Sequence, residues 1–362
     1  MRFIEPVRDF YHRFEHRISS LFLIGGFVFD AFTLKRADAL WENLWIMSYL
    51  FLIAIFIMLI HITEKRGGRE NNSKAHFWYV NILQFAFGGI FSAYLVLYFR
   101  SADILVAWPF IALLAIIFIA NEFLKKHYVR LSFQISLFFL AIYSFFIFLV
   151  PVVIHKIGAS IFLFSGLISI IFIALFLKVL FYFIKDKFSE SKNLIIWLIS
   201  GIFILVNILY FTNLIPPIPL SLKEAGVYNS VQRNTEGYLV LTYEDTGWTK
   251  YFRLYPNFKK VEGKPVYAFS SIFSPKNLNI TILHEWQYYN QDKNKWTTES
   301  VIRLPIVGGR DGGFRTYSVK TDLAPGKWRV NVKTEQDQTI GHLRFTIVPV
   351  DVEPPMLKTT LK

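Results

Sequence analysis

The sequence contains no cysteine, which excludes disulfide bonds, thiolate metal sites and cysteine nucleophiles. Charge is also sparse: only 18% of the 362 residues are Asp, Glu, Lys or Arg, whereas 54% are hydrophobic and 18% are aromatic. Soluble globular chains of this length carry more charge and fewer apolar residues. The composition therefore indicates a membrane protein, and a domain outside the bilayer must be stabilised by its core alone.

The net charge of +13 is not concentrated in a basic stripe, which argues against a nucleic-acid-binding protein. Of the 39 Lys and Arg residues, 19 precede Pro216, mostly in short loops between apolar stretches. The other 20 are spread among 14 acidic residues. We therefore expect no nucleic-acid partner.

Seven apolar stretches are predicted to be transmembrane helices, forming an all-α bundle over residues 18–214. The predicted spans are Ile18–Leu34, Trp41–Ile62, Phe77–Phe99, Ile104–Ala120, Leu131–Ile154, Ile157–Ile184 and Asn193–Leu214.

Loop charges predict the orientation of this bundle. Fourteen Lys and Arg residues lie in the N-terminal segment and in the second, fourth and sixth loops, against four in the other loops. Positively charged loops stay in the cytoplasm. We therefore predict a multi-pass membrane protein with a cytoplasmic N-terminus and an extracytoplasmic C-terminal domain.

The first seventeen residues, 1–17, combine arginines with apolar residues at helical spacing. This pattern is typical of an amphipathic helix on the inner leaflet. A plain extension of the first span is the equal alternative.

The character of the chain changes at Ile215-Pro216-Pro217-Ile218-Pro219. Proline donates no backbone hydrogen bond, so residues 215–222 are predicted to form a stiff, extended linker. Short runs with period-two alternation then follow, separated by turn signals. Residues 223–350 are predicted to form an antiparallel, Ig-like β-sandwich, with a small barrel as the alternative, and 351–362 a C-terminal tail.

Several motifs of this domain resemble one bacterial family. They are His284-Glu-Trp286, Phe314-Arg315-Thr316-Tyr317-Ser318, Pro325-Gly326-Lys-Trp328-Arg329-Val330 and Arg344-Phe345. Together they resemble the domain-of-unknown-function 2914 (DUF2914) family from roughly Pro265 to Val348. The resemblance implies a domain of the bacterial envelope that sometimes follows a multi-span membrane region. With the predicted orientation, it implies a protein of the bacterial inner membrane whose C-terminal domain is periplasmic. It implies no particular activity.

Four side chains are candidates for a ligand site in the β domain. His284 and Trp286 share one face of a strand, and Arg315 and Tyr317 share a face of another. If the strands are neighbours, the four side chains line a patch suited to a carboxylate, a phosphate or a sugar ring. The alternative is a cluster that only stabilises the core.

Polar residues in or beside the predicted spans are the second set of candidates, because they are costly in a bilayer. They are Asp30, Arg36, Asp38, Asn81 and Gln84. Asp30 is expected either to pair with nearby basic residues or to handle a proton, an ion or a substrate. The amides of Asn81 and Gln84 more often bond neighbouring helices.

No catalytic set, metal site or cofactor motif is predicted, and the sequence favours a function other than catalysis. The leading hypothesis is a periplasmic β-sandwich that binds a ligand or an envelope partner. Besides the lipid bilayer, the expected partners are an envelope glycan, a lipid or a periplasmic protein. The alternatives are a transporter or lipid-handling protein with the β domain as a lid, and a membrane-embedded transferase.

Overall fold

A computed structural model describes residues 24–34, 39–71, 73–101, 104–215, 220–235, 239–244, 253–274, 280–306 and 313–361. The chain divides into two compact units, one made of helices up to Ile215 and one made mostly of strands after it. The predicted segment 1–17, half of the predicted linker (216–219) and the candidates Arg36 and Asp38 lie outside the described residues.

The helical unit contains seven α-helices over its described residues, and a short 3-10 helix, Lys125–Val129, precedes the fifth. The α-helices are α1 Ile24–Thr33, α2 Leu40–Asn71, α3 Ser73–Ser101, α4 Ile104–Phe123, α5 Leu131–Ile154, α6 Ala159–Phe183 and α7 Lys185–Phe211. Helices suit a bilayer because each one satisfies its own backbone hydrogen bonds.

Five of these helices are long and apolar enough to cross a membrane: α2, α3, α5, α6 and α7. In the part of the chain that is described, α1 and the apolar part of α4, Trp108–Asn121, are shorter than a full span. Several membrane-compatible helices are thus confirmed, five of them at spanning length. Helix α7 also begins earlier than predicted, because the charged residues from Lys185 onward form its first turns.

The interior of the helical unit is built on α3 and α5, the most buried of the five long helices. The ring of Tyr98 contacts Phe148 at 4.4 Å and Phe110 at 4.7 Å between ring centroids. The Tyr94 hydroxyl donates a hydrogen bond to the carbonyl of Ala141, at 2.6 Å. Helices α6 and α7 instead expose most of their apolar side chains, as lipid-facing helices do.

Replacing Tyr94 by phenylalanine should lower the unfolding free energy of the helical unit by about 1 kcal/mol, because it removes this buried interhelical hydrogen bond. Thermal unfolding of the full chain in detergent measures the effect. Tyr79→Phe on the same helix is the control, since Tyr79 is only partly buried. Equal destabilisation by both variants would contradict the role of the bond.

The β unit contains eleven strands over its described residues. They are β1 Ser221–Tyr228, β2 Ser230–Arg233, β3 Leu239–Glu244, β4 Asn257–Lys260, β5 Val266–Phe273, β6 Ile280–Asn290, β7 Lys295–Ile306, β8 Phe314–Lys320, β9 Gly326–Thr334, β10 Thr339–Pro349 and β11 Met356–Leu361.

The strands form three sheets, in the orders β1-β5-β8, β4-β10-β9-β6-β7 and β11-β3-β2. All described strand pairs are antiparallel except β4 with β10, which is parallel. Alternate residues of the first two sheets share one core, which includes Ala268 of β5, Trp286 of β6, Val330 of β9 and Phe345 of β10. Period-two alternation in these strands accounts for this burial.

A second core lies on the other face of β5. Phe269 packs there with Val231, Leu239 and Leu241 of the third sheet. Strand β5 is therefore covered on both faces, which explains why nearly all of its residues are buried. The predicted β-rich region with antiparallel sheets is confirmed, but the structure has three sheets where a sandwich has two.

Candidate functional site

The predicted residues His284 and Trp286 lie side by side in the core of the β unit, and both are fully buried. His284 Nε2 is 2.8 Å from Ser270 Oγ, and its Nδ1 is 2.8 Å from Ser318 Oγ. The indole of Trp286 donates to the same Ser318 Oγ, at 2.9 Å. Two strands of the facing sheet therefore supply the partners of the imidazole.

Burial lowers the pKa of His284 to about 4, because a charged imidazole is disfavoured away from water. The ring is therefore neutral at pH 7. With both nitrogens bonded to serine hydroxyls, it joins the two sheets of the main core. This arrangement corresponds to the structural alternative considered for the His284 cluster.

Arg315 and Tyr317 lie elsewhere, because Ser318 points into the core and residues of opposite parity in β8 point away from it. Arg315 donates to the carbonyl of Leu361 in β11, at 3.0 Å. The ring of Tyr317 lies 5.9 Å from that of Tyr267. The structure thus brings His284 and Trp286 together but does not bring Arg315 or Tyr317 to them.

Another set of side chains converges on the outer face of the five-stranded sheet. In β9, Trp328 and Val330 point into the core, so Arg329 between them points outward. In β10, Arg344 points outward for the same reason, since its neighbours on both sides are buried. We call this surface the aromatic–arginine face and define it by Tyr255, Tyr289, Trp296, Arg329 and Arg344.

The two guanidinium groups of this face are flanked by aromatic rings. Arg329 lies over the ring of Trp296, at 4.3 Å from its centroid, and Arg344 lies 6.0 Å from that of Tyr255. The Tyr255 and Trp296 rings are nearly parallel, with centroids 6.2 Å apart and an interplanar angle of 14°. Tyr289 meets Trp296 edge-on at 5.2 Å. Tyr255 lies just before β4 at one edge of the sheet, and Trp296 belongs to β7 at the other edge.

The positive charge of the face is concentrated at one point, because Arg344 lies directly opposite Arg329 across the β9–β10 pair. Like charges at opposed positions destabilise an antiparallel sheet. Burial lowers the pKa of Arg329; Tyr255 and Glu285 oppose this shift, and the charge of Arg344 adds to it. A third cation, Lys327, lies 5.6 Å from the Tyr255 ring centroid.

The two arginines differ in their hydrogen bonding. Arg329 Nε donates to Gln287 Oε1 at 2.6 Å, which fixes its guanidinium against Trp296. Arg344 Nε is buried and has no hydrogen-bond partner among the described residues. A buried donor without an acceptor costs stability.

A band of polar side chains continues from the face across β6, β7 and β9. Thr298 accepts a hydrogen bond from Gln287 at 2.9 Å and donates one to Glu285, also at 2.9 Å. Glu285 also pairs with Lys333 at 2.6 Å and accepts from Asn331 at 2.9 Å. Burial raises the pKa of Glu285, but its hydrogen bonds outweigh burial and lower it to about 2.

The sequence carries only part of the signal for this face. Alternation predicts that Arg329 and Arg344 point away from a core, as they do. The opposition of the two arginines depends on the pairing of β9 with β10, and Tyr255 reaches the face from a separate segment. Neither fact can be read from the sequence around these residues.

Residues 279–347 match the family described as "Protein of unknown function (DUF2914)". The predicted resemblance of the C-terminal region is thereby confirmed. The match spans β6 to β10, so four members of the aromatic–arginine face lie in the DUF2914 region, and Tyr255 lies before it.

Other comparisons add little. No curated protein is similar enough to count as a relative. Similar solved structures include a Listeria innocua β-glucosidase in complex with gluconolactone, with TM-score 0.19 and 9% identity over 30% of this chain and 16% of that chain. Another is a Pseudomonas fluorescens alkylpurine DNA glycosylase, AlkC, bound to DNA containing an abasic site analog, with TM-score 0.24 and 9% identity over 86% of this chain and 99% of that one. At these TM-scores neither structure supports an argument about fold or function.

The candidate residues of the helical unit that the structure describes form hydrogen bonds with other groups of the protein. Ser92 of α3 donates to Asp30 Oδ2 at 2.5 Å, and Asp30 is buried. Asn81 donates to the carbonyl of Phe77 in its own helix, at 2.7 Å. Gln84 is buried and donates to the carbonyl of Asn121 in α4, at 3.0 Å. The bonds of Asp30 and Gln84 thus connect two helices, whereas this bond of Asn81 lies within one helix.

A polar cluster that was not predicted from the sequence joins α2, α5 and α7. Glu64 forms an ion pair with Lys187 and lies 3.2 Å from Nδ1 of His61. His61 Nε2 lies 2.8 Å from Gln134 Oε1. The cluster borders a cavity of about 350 Å³. Gln134 and Lys187 are distant in sequence from His61 and Glu64, so only the packing of the helices brings the four together.

Replacing Lys187 by methionine should lower the unfolding free energy of the helical unit by about 1 kcal/mol, because it leaves the half-buried carboxylate of Glu64 without its cation. Thermal unfolding in detergent measures this change. Lys185→Met serves as the matched control, since Lys185 is an exposed lysine on the same helix. An equal shift for both variants would show that the ion pair contributes nothing.

Among the described residues, no three His, Asp or Glu side chains are grouped closely enough to hold a metal ion. The strongest chemical feature of the β unit is therefore the aromatic–arginine face. Its side chains offer stacking surfaces and hydrogen-bond donors, which are the groups that bind an anionic ligand.

Proposed function

We propose that this protein is a membrane-anchored binding protein of the bacterial inner membrane, and that the aromatic–arginine face of its β unit binds an anionic ligand. In this proposal the helices form a seven-span anchor, with the N-terminus in the cytoplasm and the β unit in the periplasm. The excess of Lys and Arg in alternate loops supports this orientation.

The observation that carries the proposal is the opposition of Arg329 and Arg344. Two cations at opposed positions on one sheet cost stability in the free protein. An anion placed between them removes the repulsion and accepts charge-assisted hydrogen bonds. Arg344 Nε has no partner in the described structure, so this arginine has hydrogen-bonding capacity that the described residues do not use.

The surroundings of the arginines also suit binding. The hydrogen bond from Arg329 to Gln287 and the stacking on Trp296 hold one guanidinium in a single orientation. A fixed donor loses less conformational entropy on binding than a mobile surface arginine does. The rings of Tyr255 and Tyr289 pack against the Trp296 ring on which Arg329 stacks.

Binding to this face can be tested with the full chain in phosphatidylcholine nanodiscs, by calorimetric titration with inorganic phosphate, citrate and trigalacturonate. We expect at least one of these anions to bind. Affinity should fall as the salt concentration rises, because both arginines are partly exposed.

The matched variants for this titration are Arg329→Gln and Arg303→Gln. Arg303 is an exposed arginine on β7, paired with Leu283 of β6 and outside the aromatic–arginine face. Binding should be lost in Arg329→Gln and retained in Arg303→Gln. Equal losses in both variants, or no binding of any of the three anions, would overturn the proposed function.

A further inference from the structure

We propose that the ligand of the aromatic–arginine face is an acidic saccharide, whose carboxylate binds Arg329 and Arg344 while a sugar ring packs on the aromatic side chains. This inference rests on the proposed function and names the ligand class of the same site.

The arginine pair fits a carboxylate. A guanidinium presents its donors in a plane, in a fork that matches the two oxygens of a carboxylate. Arg329 uses its Nε for Gln287 and keeps its terminal nitrogens for a ligand, while Arg344 retains an unpartnered, buried Nε in the described structure. One carboxylate between the opposed residues can accept from both side chains.

The aromatic rings suit a ligand that has a ring surface in addition to its anionic group. Tyr255, Tyr289 and Trp296 are all partly exposed around the arginine pair, and two of the rings are nearly parallel. Aromatic faces are electron-rich and attract the polarised C–H groups on the flat side of a sugar ring. Inorganic phosphate has no such surface, so it would not use the exposed parts of these three rings.

The polar band beside the face fits the hydroxyl groups of a saccharide. Gln287, Thr298, Glu285 and Asn331 form one hydrogen-bonded series, and His342 Nδ1 lies 2.8 Å from Asn331 Oδ1. Asn331 is buried and holds Glu285 in place. The partly exposed Gln287 and Glu285 and the exposed Thr298 offer donors and acceptors in fixed positions, which is what recognition of hydroxyl groups requires. The band extends from the arginine pair across three strands, so it suits a ligand of more than one sugar unit.

The test uses an array of oligosaccharides that contain uronate, sialate or muramate, with neutral oligosaccharides of matched length. The full chain in phosphatidylcholine nanodiscs is applied to this array. We expect binding to acidic members only. An array on which neutral members bind as well as acidic ones, or on which no acidic member binds, would overturn the inference.

Two variants then separate the inference from the proposed function. Trp296→Ala should weaken binding of the best acidic oligosaccharide about tenfold by removing the stacking surface. The same variant should weaken phosphate binding by a smaller factor, about threefold, because it frees the Arg329 guanidinium from Trp296 but removes no contact with phosphate. Arg344→Gln should weaken the binding of both the oligosaccharide and phosphate.

The outcomes are distinguishable. If phosphate or glycerol phosphate binds as tightly as every acidic saccharide, and Arg344→Gln abolishes this binding, the saccharide inference fails while the proposed function stands. Glycerol phosphate reports on a lipid headgroup as the source of the anion. If Arg344→Gln has no effect on any ligand, both proposals fail.

Discussion

Replacing Arg344 by glutamine is expected to weaken binding of the anionic ligand about thirtyfold, because it removes one member of a fixed pair of guanidinium donors. The same change should stabilise the ligand-free β unit by about 0.5 kcal/mol, because it removes the repulsion between opposed cations. Binding and stability should therefore change in opposite directions.

Opposite changes in binding and in stability distinguish an arginine that binds a ligand from one that is purely structural. If Arg344 only packed on Tyr255, its replacement would lower stability, and binding would fall as a consequence. Calorimetric titration measures the affinity, and amide hydrogen exchange of β9 and β10 in the full chain measures the stability. Arg303→Gln should leave both quantities nearly unchanged. A loss of stability in Arg344→Gln would contradict the proposed role.

Acidification is expected to destabilise the β unit by about 3 kcal/mol through His284. The pKa of this imidazole is about 4 in the folded state and about 6.5 when the chain is unfolded, because only the folded state buries it. The unfolded state therefore binds the proton more tightly. The full stability is present above about pH 6.5 and is lost as the pH falls towards 4.

The pH range separates His284 from the other shifted group of the same strand. The pKa of Glu285 is lowered to about 2, so its contribution persists until the pH falls below about 4.5. Between pH 6.5 and 5 the loss should thus come mainly from His284 and amount to about 2 kcal/mol.

Amide exchange in β6 and β9, corrected for its intrinsic pH dependence, measures this change in the full chain. His284→Gln should abolish most of the pH dependence in the same range, even if it lowers stability overall. Persistence of the full dependence in His284→Gln would show that another group is responsible.

The division of the chain into helices followed by strands was predictable because both patterns are local. Twenty or more apolar residues identify a helix of spanning length, and alternation identifies a strand. The three-sheet arrangement was not predictable in the same way. The run Val266–Phe273 is buried on both faces. Its second face is covered by the sheet of β2, β3 and β11, whose position does not follow from the local pattern.

The candidate site residues were also predictable only in part, because their surroundings come from distant strands. Period-two spacing correctly placed His284 and Trp286 on one face of a strand, but it does not say whether that face is a surface or a core. The answer came from Ser270 and Ser318, which belong to other strands. Likewise, each arginine of the aromatic–arginine face is visible in the sequence, but their opposition follows from strand pairing.

A cryo-EM map of the full chain, with a bound antibody fragment as fiducial and saturated with the tightest anionic ligand, tests the central claim most directly. We predict density for the ligand between Arg329 and Arg344, within hydrogen-bond distance of both guanidinium groups and in contact with Trp296. Ligand density at another place on the protein, with the arginine pair unoccupied, would contradict the account.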